Sequence, residues 1–271
     1  MEKTFHNIKQ YWEKRATLWS AQPKATTDDH WLRIIEIREI IRTLKRIRKK
    51  RAILDIGCGD GFSTIRIAQS FPNSTFLGVD YSKSMIESAR LFLRRTQSPF
   101  SNVTFQVLDA RTLASIDKKF DVIISDRCLI NLPTAAIQKQ VMQDIWHILP
   151  DSGHYIMVEN FIEGHNAMNV LRKRLDLPSI PVRWHNTYVD EAFLKSLTKN
   201  YFTIKKRKNI SSIYYLITRT VYSKICQLEH REPDYDNPIY KIAADLDESI
   251  GNYGPVNLIL LRKKPLYGKS H

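Results

Sequence analysis

The chain has 271 residues and a formal net charge of +14, from 42 lysines and arginines against 28 acidic residues. With 43% hydrophobic residues it can bury a sizeable core, and the absence of an 18-residue apolar run argues against a membrane span. The first residues lack the apolar region of a signal peptide, and the three cysteines have no metal-ligand spacing. We therefore expect reduced thiols and a cytoplasmic protein.

The first 49 residues are expected to form a helical N-terminal cap. Aromatic and apolar residues recur at helical spacing from Phe5 to Trp19. A second helix is predicted from about His30, after a loop in which Asp28 or Asp29 can cap it.

The positive charge is concentrated in two clusters. Cations at the end of a helix are favoured by its dipole, but such clusters can also bind nucleic acid, anionic lipid or an acidic substrate. Both interpretations stay open at this point. The clusters are Arg42, Lys45, Arg46, Arg48, Lys49, Lys50 and Arg51, and Lys205, Lys206, Arg207 and Lys208.

Residues 51–61 combine a short buried strand with a glycine-rich turn. The apolar, β-branched run 53–56 is typical of a parallel strand. The alternate glycines that follow suit a turn in which positive φ is free and no Cβ blocks a ligand. Helical spacing resumes after the turn and ends before Pro72. These glycines are Gly57, Gly59 and Gly61.

The next predicted strand, 75–80, ends in Asp80, about two dozen residues after the first glycine. A carboxylate there can accept hydrogen bonds from both hydroxyls of a ribose. Asp55 precedes the turn, and no third glycine stands at dinucleotide spacing. Both facts favour a site for S-adenosylmethionine (SAM) over one for a dinucleotide.

In four segments the chain resembles the class I SAM-dependent methyltransferases. The resemblance implies an α/β fold, a Rossmann-like doubly wound and mostly parallel sheet of about seven strands. It also implies SAM as cofactor and S-adenosylhomocysteine (SAH) as product. The segments are 53–61, 78–82, 105–110 and 120–125, which cover roughly residues 50–160 in the right order and spacing.

About 45 residues separate predicted strand 202–210 from the final strand, which begins at Val256. The last two strands of the resembled fold usually form a hairpin, so we interpret this insertion, with predicted helices 213–228 and 238–250, as a substrate cap. Helical decoration without a substrate role is the alternative. Residues 161–187 show no regular pattern and are assigned to the same cap. The expected organisation is an N-terminal cap (1–49), a core (50–210 and 256–264), an inserted cap (211–255) and a tail (265–271).

The resemblance also implies a set of cofactor-binding residues. Tyr11 and Arg15 could instead belong to an aromatic stripe that packs on the core, and Asp55 is expected to orient the turn. The set is Gly57, Gly59 and Gly61 at the methionine part, Asp80 at the ribose, Asp109 and Ala110 at the adenine, Tyr81, Ser82 and Met85 beside the adenosine, Tyr11 and Arg15 at the carboxylate end, with Asp55 and Ser125 at the ends of their strands.

Polar residues that follow the fourth and fifth predicted strands are the candidates for catalysis. His185 is the first choice of general base because its ordinary pKa lies near 6.5 and its loop can reach this edge of the sheet. Glu159 is the second choice of base. Asp126, Glu159 and Asn160 are expected to position the acceptor through hydrogen bonds, with Arg127 as their charge partner, and Asn131 is a further catalytic candidate in the polar cluster after the fourth strand.

A metal-dependent mechanism is the alternative. Asp126, Glu159 and Asn160 stand where metal-dependent O-methyltransferases of catechol type place their three oxygen ligands, which would suit Mg²⁺. Glu159 replaces an aspartate of that family, and Arg127 beside Asp126 offers a competing ion pair. We therefore expect no metal.

The leading hypothesis is methyl transfer to an oxygen or nitrogen of a small molecule, such as an anionic, sugar, saccharide-linked or other natural-product acceptor. The net charge motivates a rival hypothesis, an RNA or other nucleic-acid methyltransferase or a protein methyltransferase. No Asn-Pro-Pro-Tyr-like tetrad for a flipped base follows the fourth strand. A non-catalytic SAM-binding protein is the third alternative.

Overall fold

The computed structural model of the chain describes residues 3–19, 25–47, 51–96, 102–246 and 250–265. Seven strands in these ranges form one sheet, β1 (Ala52–Ile56), β2 (Thr75–Asp80), β3 (Val103–Val107), β4 (Val122–Asp126), β5 (His154–Asn160), β6 (Phe202–Asn209) and β7 (Val256–Lys263). Their order is β3-β2-β1-β4-β5-β7-β6, and β7 pairs antiparallel with both β5 and β6, whereas all other neighbouring strands are parallel. The predicted Rossmann-like, mostly parallel sheet is confirmed.

Helices flank the sheet on both faces. Ile53, Leu54 and Ile56 of β1 are all fully buried, as expected for a central strand that is covered on both sides. The helices are α1 (Phe5–Leu18), α2 (His30–Arg46), α3 (Phe62–Gln69), α4 (Lys83–Arg95), α5 (Ala135–Ile148), α6 (Ile162–Arg174), α7 (Glu191–Asn200), α8 (Ser212–Tyr215), α9 (Tyr222–Leu228) and α10 (Pro238–Asp245).

The helix α6 was not predicted from the sequence. Its buried residues include Gly164, His165 and Arg172, which carry no clear apolar period. Gly164 is needed there because a Cβ at this position would lie 2.1 Å from the carbonyl oxygen of Gly254. The segment therefore packs through close backbone approach and polar side chains, which apolar periodicity does not detect.

Trp12 of α1, Arg33 at the start of α2 and Tyr215 of the insertion lie at the carboxyl ends of the strands, whereas the rest of α2 packs against α3, β5 and β7. Trp12 and Ala16 of α1 pack with Ala25 and Met85, and α10 packs against α2. Within the insertion, α8 runs through a π-helical segment, Leu216–Val221, into α9. Across the described ranges, no helix combines the length and the apolar character that a membrane crossing requires.

The basic clusters are partly neutralised within the fold. Lys206, Lys208 and Arg42 all lie within 4 Å of Glu39, which is buried on α2. Arg207 pairs with a carboxylate of α7. Residues 48–50 lie outside the described ranges. The second cluster is therefore in part a structural ion-pair network between β6 and its neighbours.

Candidate active site

A cavity of about 240 Å³ lies at the carboxyl ends of β1, β2, β4 and β5. The glycine turn forms one end, and side chains of α6, the α6–α7 loop and the insertion form the other. Parallel strands present the residues that follow them at one edge of the sheet, which brings together segments distant in sequence. The residues that line both ends include Gly57, Gly59, Asp80, Asp109, Asp126, His165, His185, Tyr188, Tyr215 and Arg219.

The glycine turn needs glycine for two physical reasons. Gly57 and Gly59 have φ values of 72° and 54°, in the left-handed region that disfavours a side chain. A Cβ at Gly57 would lie 2.6 Å from Sγ of Cys128, and one at Gly59 would lie 2.6 Å from Cγ2 of Thr26. The backbone therefore approaches its neighbours closely, and the turn stays open toward the cavity.

Asp80 ends β2 and lines the cavity beside this turn. Its carboxylate accepts hydrogen bonds from the backbone N–H of Gly59 at 3.1 Å and of Ser82 at 2.8 Å. Burial raises the pKa of Asp80 to about 6, against the opposing effect of these two donors. The carboxylate is thus fixed in orientation, and most of it is ionised at neutral pH.

Of the other predicted cofactor residues, five line the cavity and five do not. Asp55, Tyr81, Met85, Asp109 and Ala110 line the cavity together with Gly57, Gly59 and Asp80. Their individual roles stay predictions.

Asp55 and Asp109 also have partners within the protein. The Thr64 hydroxyl donates to Asp55 at 2.5 Å, and burial raises the pKa of Asp55 to about 7. Asp109 accepts a hydrogen bond from the backbone N–H of Arg111 and forms an ion pair with its guanidinium.

Five predicted cofactor residues do not line the cavity. Ser82 caps α4 through Met85, and Gly61 begins α3. Ser125 is fully buried, and its hydroxyl hydrogen-bonds to Tyr155 at 2.5 Å and to Glu159 at 3.0 Å. The remaining two are Tyr11 and Arg15.

Tyr11 and Arg15 contact other residues of the protein and do not line the cavity. Tyr11 stacks on His185 with 4.5 Å between ring centroids. Arg15 donates to the carbonyl of Ala25 at 2.8 Å and to Asp28 at 3.0 Å. Both side chains thus have partners within the protein, and their contact with the carboxylate end of the cofactor stays a prediction.

The structure corrects the expectation that Glu159 is a second general base. Its side chain is fully buried and does not line the cavity. It accepts hydrogen bonds from the Ser125 hydroxyl at 3.0 Å and from the backbone N–H groups of Cys128, Leu129 and Ile130 at 2.9–3.3 Å. Burial raises its pKa to about 7 despite these donors. Glu159 thus holds the turn after β4.

The hydrogen bonds of Glu159 also argue against the alternative magnesium site. Both oxygens of Glu159 are directed at donors after β4, so they do not converge with Asp126 and Asn160 on one point. Among the described residues, no group of three or more His, Cys, Asp or Glu side chains has the arrangement of a metal site.

Arg127 occupies the turn that Glu159 holds. Its φ is 54°, and its Nε lies 3.0 Å from Oε1 of Glu36 and 3.9 Å from Oδ1 of Asp126. Burial disfavours the charge, but these two carboxylates raise the pKa of Arg127. Burial also raises the pKa of Glu36, which is fully buried on α2. Arg127 is therefore a fixed cation that is compensated from within the fold.

His185 lines the cavity and is buried, with 3% of its surface exposed. Its ring stacks on Tyr11 and meets the edges of Trp12 and Trp184. Its Nδ1 has no hydrogen-bond partner among the described residues. Burial lowers the pKa of His185 to about 4, with further lowering by nearby cations. The imidazole is therefore neutral at physiological pH and able to accept a proton.

Asn131 fixes the wall between His185 and the turn after β4. Its Oδ1 accepts hydrogen bonds from Nε1 of Trp12 at 3.3 Å and Nδ2 of Asn186 at 3.2 Å. Its own amide donates to the carbonyl of Arg127 at 2.7 Å. One amide side chain thus joins α1, the turn after β4 and the α6–α7 loop.

Several residues of the cavity were missed by sequence reasoning. His165 of α6 is a second buried imidazole in the lining, and its Nε2 lies 3.2 Å from Nδ2 of Asn169. Tyr215 and Arg219 enter from the insertion. Only the capping potential of Asp29, which contacts Arg219, was visible in the sequence.

Comparison with known proteins supports the family suggested by the motifs. Residues 47–197, more than half of the chain, match a family model described as a methyltransferase domain. The chain belongs to the class I SAM-dependent methyltransferases.

Two curated relatives share part of the methyltransferase sequence. A malonyl-[acyl-carrier protein] O-methyltransferase of Bacillus cytotoxicus is 33% identical over 178 residues, 62% of this chain and 57% of the relative. A trans-aconitate 2-methyltransferase of Methylobacterium radiotolerans is 37% identical over 86 residues, 32% of this chain and 30% of the relative. The chain thus matches less than two thirds of either relative's length.

One solved structure aligns along nearly the whole length of this chain. It is magnesium protoporphyrin IX methyltransferase (ChlM) from Synechocystis PCC 6803 with bound SAH, at a TM-score of 0.62 and 15% identity. The alignment covers 96% of this chain and 99% of that one. At this identity the similarity concerns the fold.

The residues of the methyltransferase fit the SAM that its family uses. Gly57 and Gly59 of the glycine turn line the cavity, and Asp80 offers a carboxylate to a ribose. Asp126 Oδ1 is buried and lacks a hydrogen-bond partner within the described ranges, so it can receive the donor of a bound ligand. When bound, SAM supplies an electrophilic methyl group on a sulfonium sulfur.

Proposed function

We propose that this methyltransferase transfers the methyl group of SAM to a hydroxyl or amine of a small molecule. The observation that carries the proposal is the neutral, buried His185 in a cavity that continues from the glycine turn beneath the insertion. A concave cavity lined by several separate elements suits a compact ligand better than a polymer lying across the surface.

His185 is proposed as the proton acceptor. Methylation of a hydroxyl oxygen makes its remaining proton strongly acidic, so a weak base with a pKa of about 4 can take it up, whereas a neutral amine can be methylated without a base. The new bond forms between the methyl carbon and the acceptor atom as the carbon–sulfur bond breaks, and the acceptor's proton passes to the imidazole. General base catalysis of this kind contributes about 10²–10⁴ in rate.

Other cavity residues are proposed to orient the acceptor. Asn160 is 7% exposed, and its Oδ1 makes no hydrogen bond within the described part of the chain. It can accept a hydrogen bond from a hydroxyl or ammonium. Tyr188 and Tyr215 offer aromatic surface for the body of the acceptor.

The names of two of the three reported relatives are consistent with a small acceptor, trans-aconitate in one and magnesium protoporphyrin IX in the other, whereas the third acts on a malonyl group carried by the acyl-carrier protein. None of these acceptors is carried over to this protein. The partial neutralisation of the basic clusters by Glu39 gives the nucleic-acid hypothesis no added support.

Methyl transfer from tritium-labelled SAM tests the proposal. Purified protein would be incubated with small-molecule extracts, total RNA and protein, and the label in low-mass and macromolecular fractions compared. We expect label in the low-mass fraction, and none with Gly59→Val, which fills the turn. Label confined to RNA or protein would support the rival function. Tight SAM binding by calorimetry without any transfer would support a non-catalytic role.

A further inference from the structure

Four arginines line the cavity, and three of them are paired with carboxylates. Arg183 is the exception, since its side chain forms no ion pair or hydrogen bond with the residues that the structure describes. The three pairs are Arg33 with Asp60 at 2.5 Å, Arg127 with Glu36 at 3.0 Å and Arg219 with Asp29 at 2.6 Å.

The position of Arg183 suggests what it binds. It is exposed and also lines the cavity, so it lies where the cavity meets solvent. It precedes His185 by two residues, and two residues of backbone span at most about 7 Å. The Cα atoms of the two residues are therefore at most about 7 Å apart, and after burial the Arg183 charge is among the causes that lower the pKa of His185.

The positive charges near this loop are not balanced by carboxylates close to them within the described ranges. Nζ of Lys3 donates to the backbone carbonyl of Asn186 at 2.5 Å, which places a second cation beside the same loop. Arg183 and Lys3 both lower the pKa of His185, and no carboxylate is among the causes of that shift. An anion that enters here would meet positive charge without displacing an internal partner.

We infer that the acceptor carries a carboxylate or phosphate group that Arg183 binds at the cavity mouth. The inference rests on the proposed function, and it narrows the acceptor to a small anionic hydroxyl or amine compound. A guanidinium binds either anion through two parallel hydrogen bonds. With the anion at Arg183 and the nucleophile near His185, Tyr188 and Tyr215 face the body of the compound.

Binding of matched ligands to the SAH complex tests the inference without requiring turnover. The carboxylate pair is 4-hydroxybenzoate and 4-hydroxybenzamide, and the phosphate pair is phenyl phosphate and phenol. Calorimetry or ligand-detected NMR would give their affinities. We expect at least one anion to bind about tenfold more tightly than its neutral partner, and the preferred pair distinguishes carboxylate from phosphate.

Variants assign the preference to Arg183. Arg183→Gln should abolish the preference, and Arg183→Lys should retain part of it because the charge is kept. Arg174→Gln is the matched control, since Arg174 is exposed at the end of α6 and does not line the cavity.

Three results would overturn the inference. They are equal affinity within both pairs, no detectable binding of any ligand, or a preference that survives Arg183→Gln. The labelling experiment tests methyl transfer separately, so failure of one proposal can be told from failure of the other.

Discussion

The carboxylate of Asp29 accepts a hydrogen bond from Nη2 of Arg219, 190 positions later in the chain, at 2.6 Å. Its other oxygen accepts one from the hydroxyl of Tyr214 at 2.5 Å and from the backbone N–H of Leu32 at 3.0 Å. Asp29 therefore caps α2 and ties the insertion to the N-terminal helices. Residues of both segments therefore line this side of the cavity.

Replacing Asp29 should weaken the contact between the insertion and the N-terminal helices while leaving α2 capped. Asparagine caps helices as well as aspartate, so Asp29→Asn removes mainly the charge that meets Arg219. We expect the KM for the acceptor to rise about tenfold, the scale of a lost charged hydrogen bond of about 1.5 kcal/mol. Asp28→Asn is the control because its exposed carboxylate pairs with Arg15 instead. An equal rise in KM in both variants would argue against a specific tie.

SAM affinity should increase with pH between about 5 and 7. The pKa of Asp80 is raised by burial to about 6, so the carboxyl gains a proton below that pH and loses accepting capacity. At pH 5 about a tenth of the molecules keep the carboxylate, which limits the weakening to about tenfold. Calorimetry across this range measures it.

Asp80→Asn should flatten this pH dependence, and Asp80→Ala should weaken binding by about 1.5–3 kcal/mol at neutral pH. Asp55→Asn is the informative comparison because burial raises the pKa of Asp55 to about 7. A slope that persists without Asp80 and disappears with Asp55→Asn would assign the titration to Asp55.

Glu159→Gln should reduce stability far more than turnover. An amide would direct N–H groups at backbone donors that now bond to the carboxylate, which costs about 2–4 kcal/mol. Thermal melting should fall, while kcat of the folded fraction stays within about threefold. Glu191→Gln, which breaks a partly exposed ion pair with Arg207, should cost less than about 1 kcal/mol. A hundredfold loss of kcat at unchanged melting temperature would restore a catalytic role for Glu159.

His185→Phe should lower kcat by at least about a hundredfold, because the ring packing against Tyr11 is kept and the proton acceptor is lost. With a pKa of about 4, the wild-type imidazole stays neutral above about pH 5. The wild-type kcat at saturating SAM should therefore be flat from about pH 5.5 to 8. His147→Phe, at an exposed position on α5, is the control. If His165→Phe abolishes turnover and His185→Phe does not, the base is His165.

The sequence was most informative where one physical requirement dominates. The buried run of β1 and the alternate glycines predicted a strand and an open turn, and Asp80 follows at a fixed place in such a fold. These are local rules of burial and backbone conformation, so a single chain displays them.

The rest of the site depends on contacts that local patterns do not encode. Glu159 has the residue type and strand position of a catalytic acid, yet its oxygens bond to the turn after β4. The helix α6 packs through Gly164 and polar residues, so it carried no apolar period. The pairing of Asp29 with Arg219 joins segments whose proximity only the fold creates.

A crystal structure with SAH would locate the cofactor relative to the proposed proton acceptor. We expect the adenosine to lie beside Asp80 and Asp109, and the sulfur to face the part of the cavity lined by His185 and Asn160. A sulfur that points away from His185, or a cavity closed between the cofactor and this residue, would contradict this expectation.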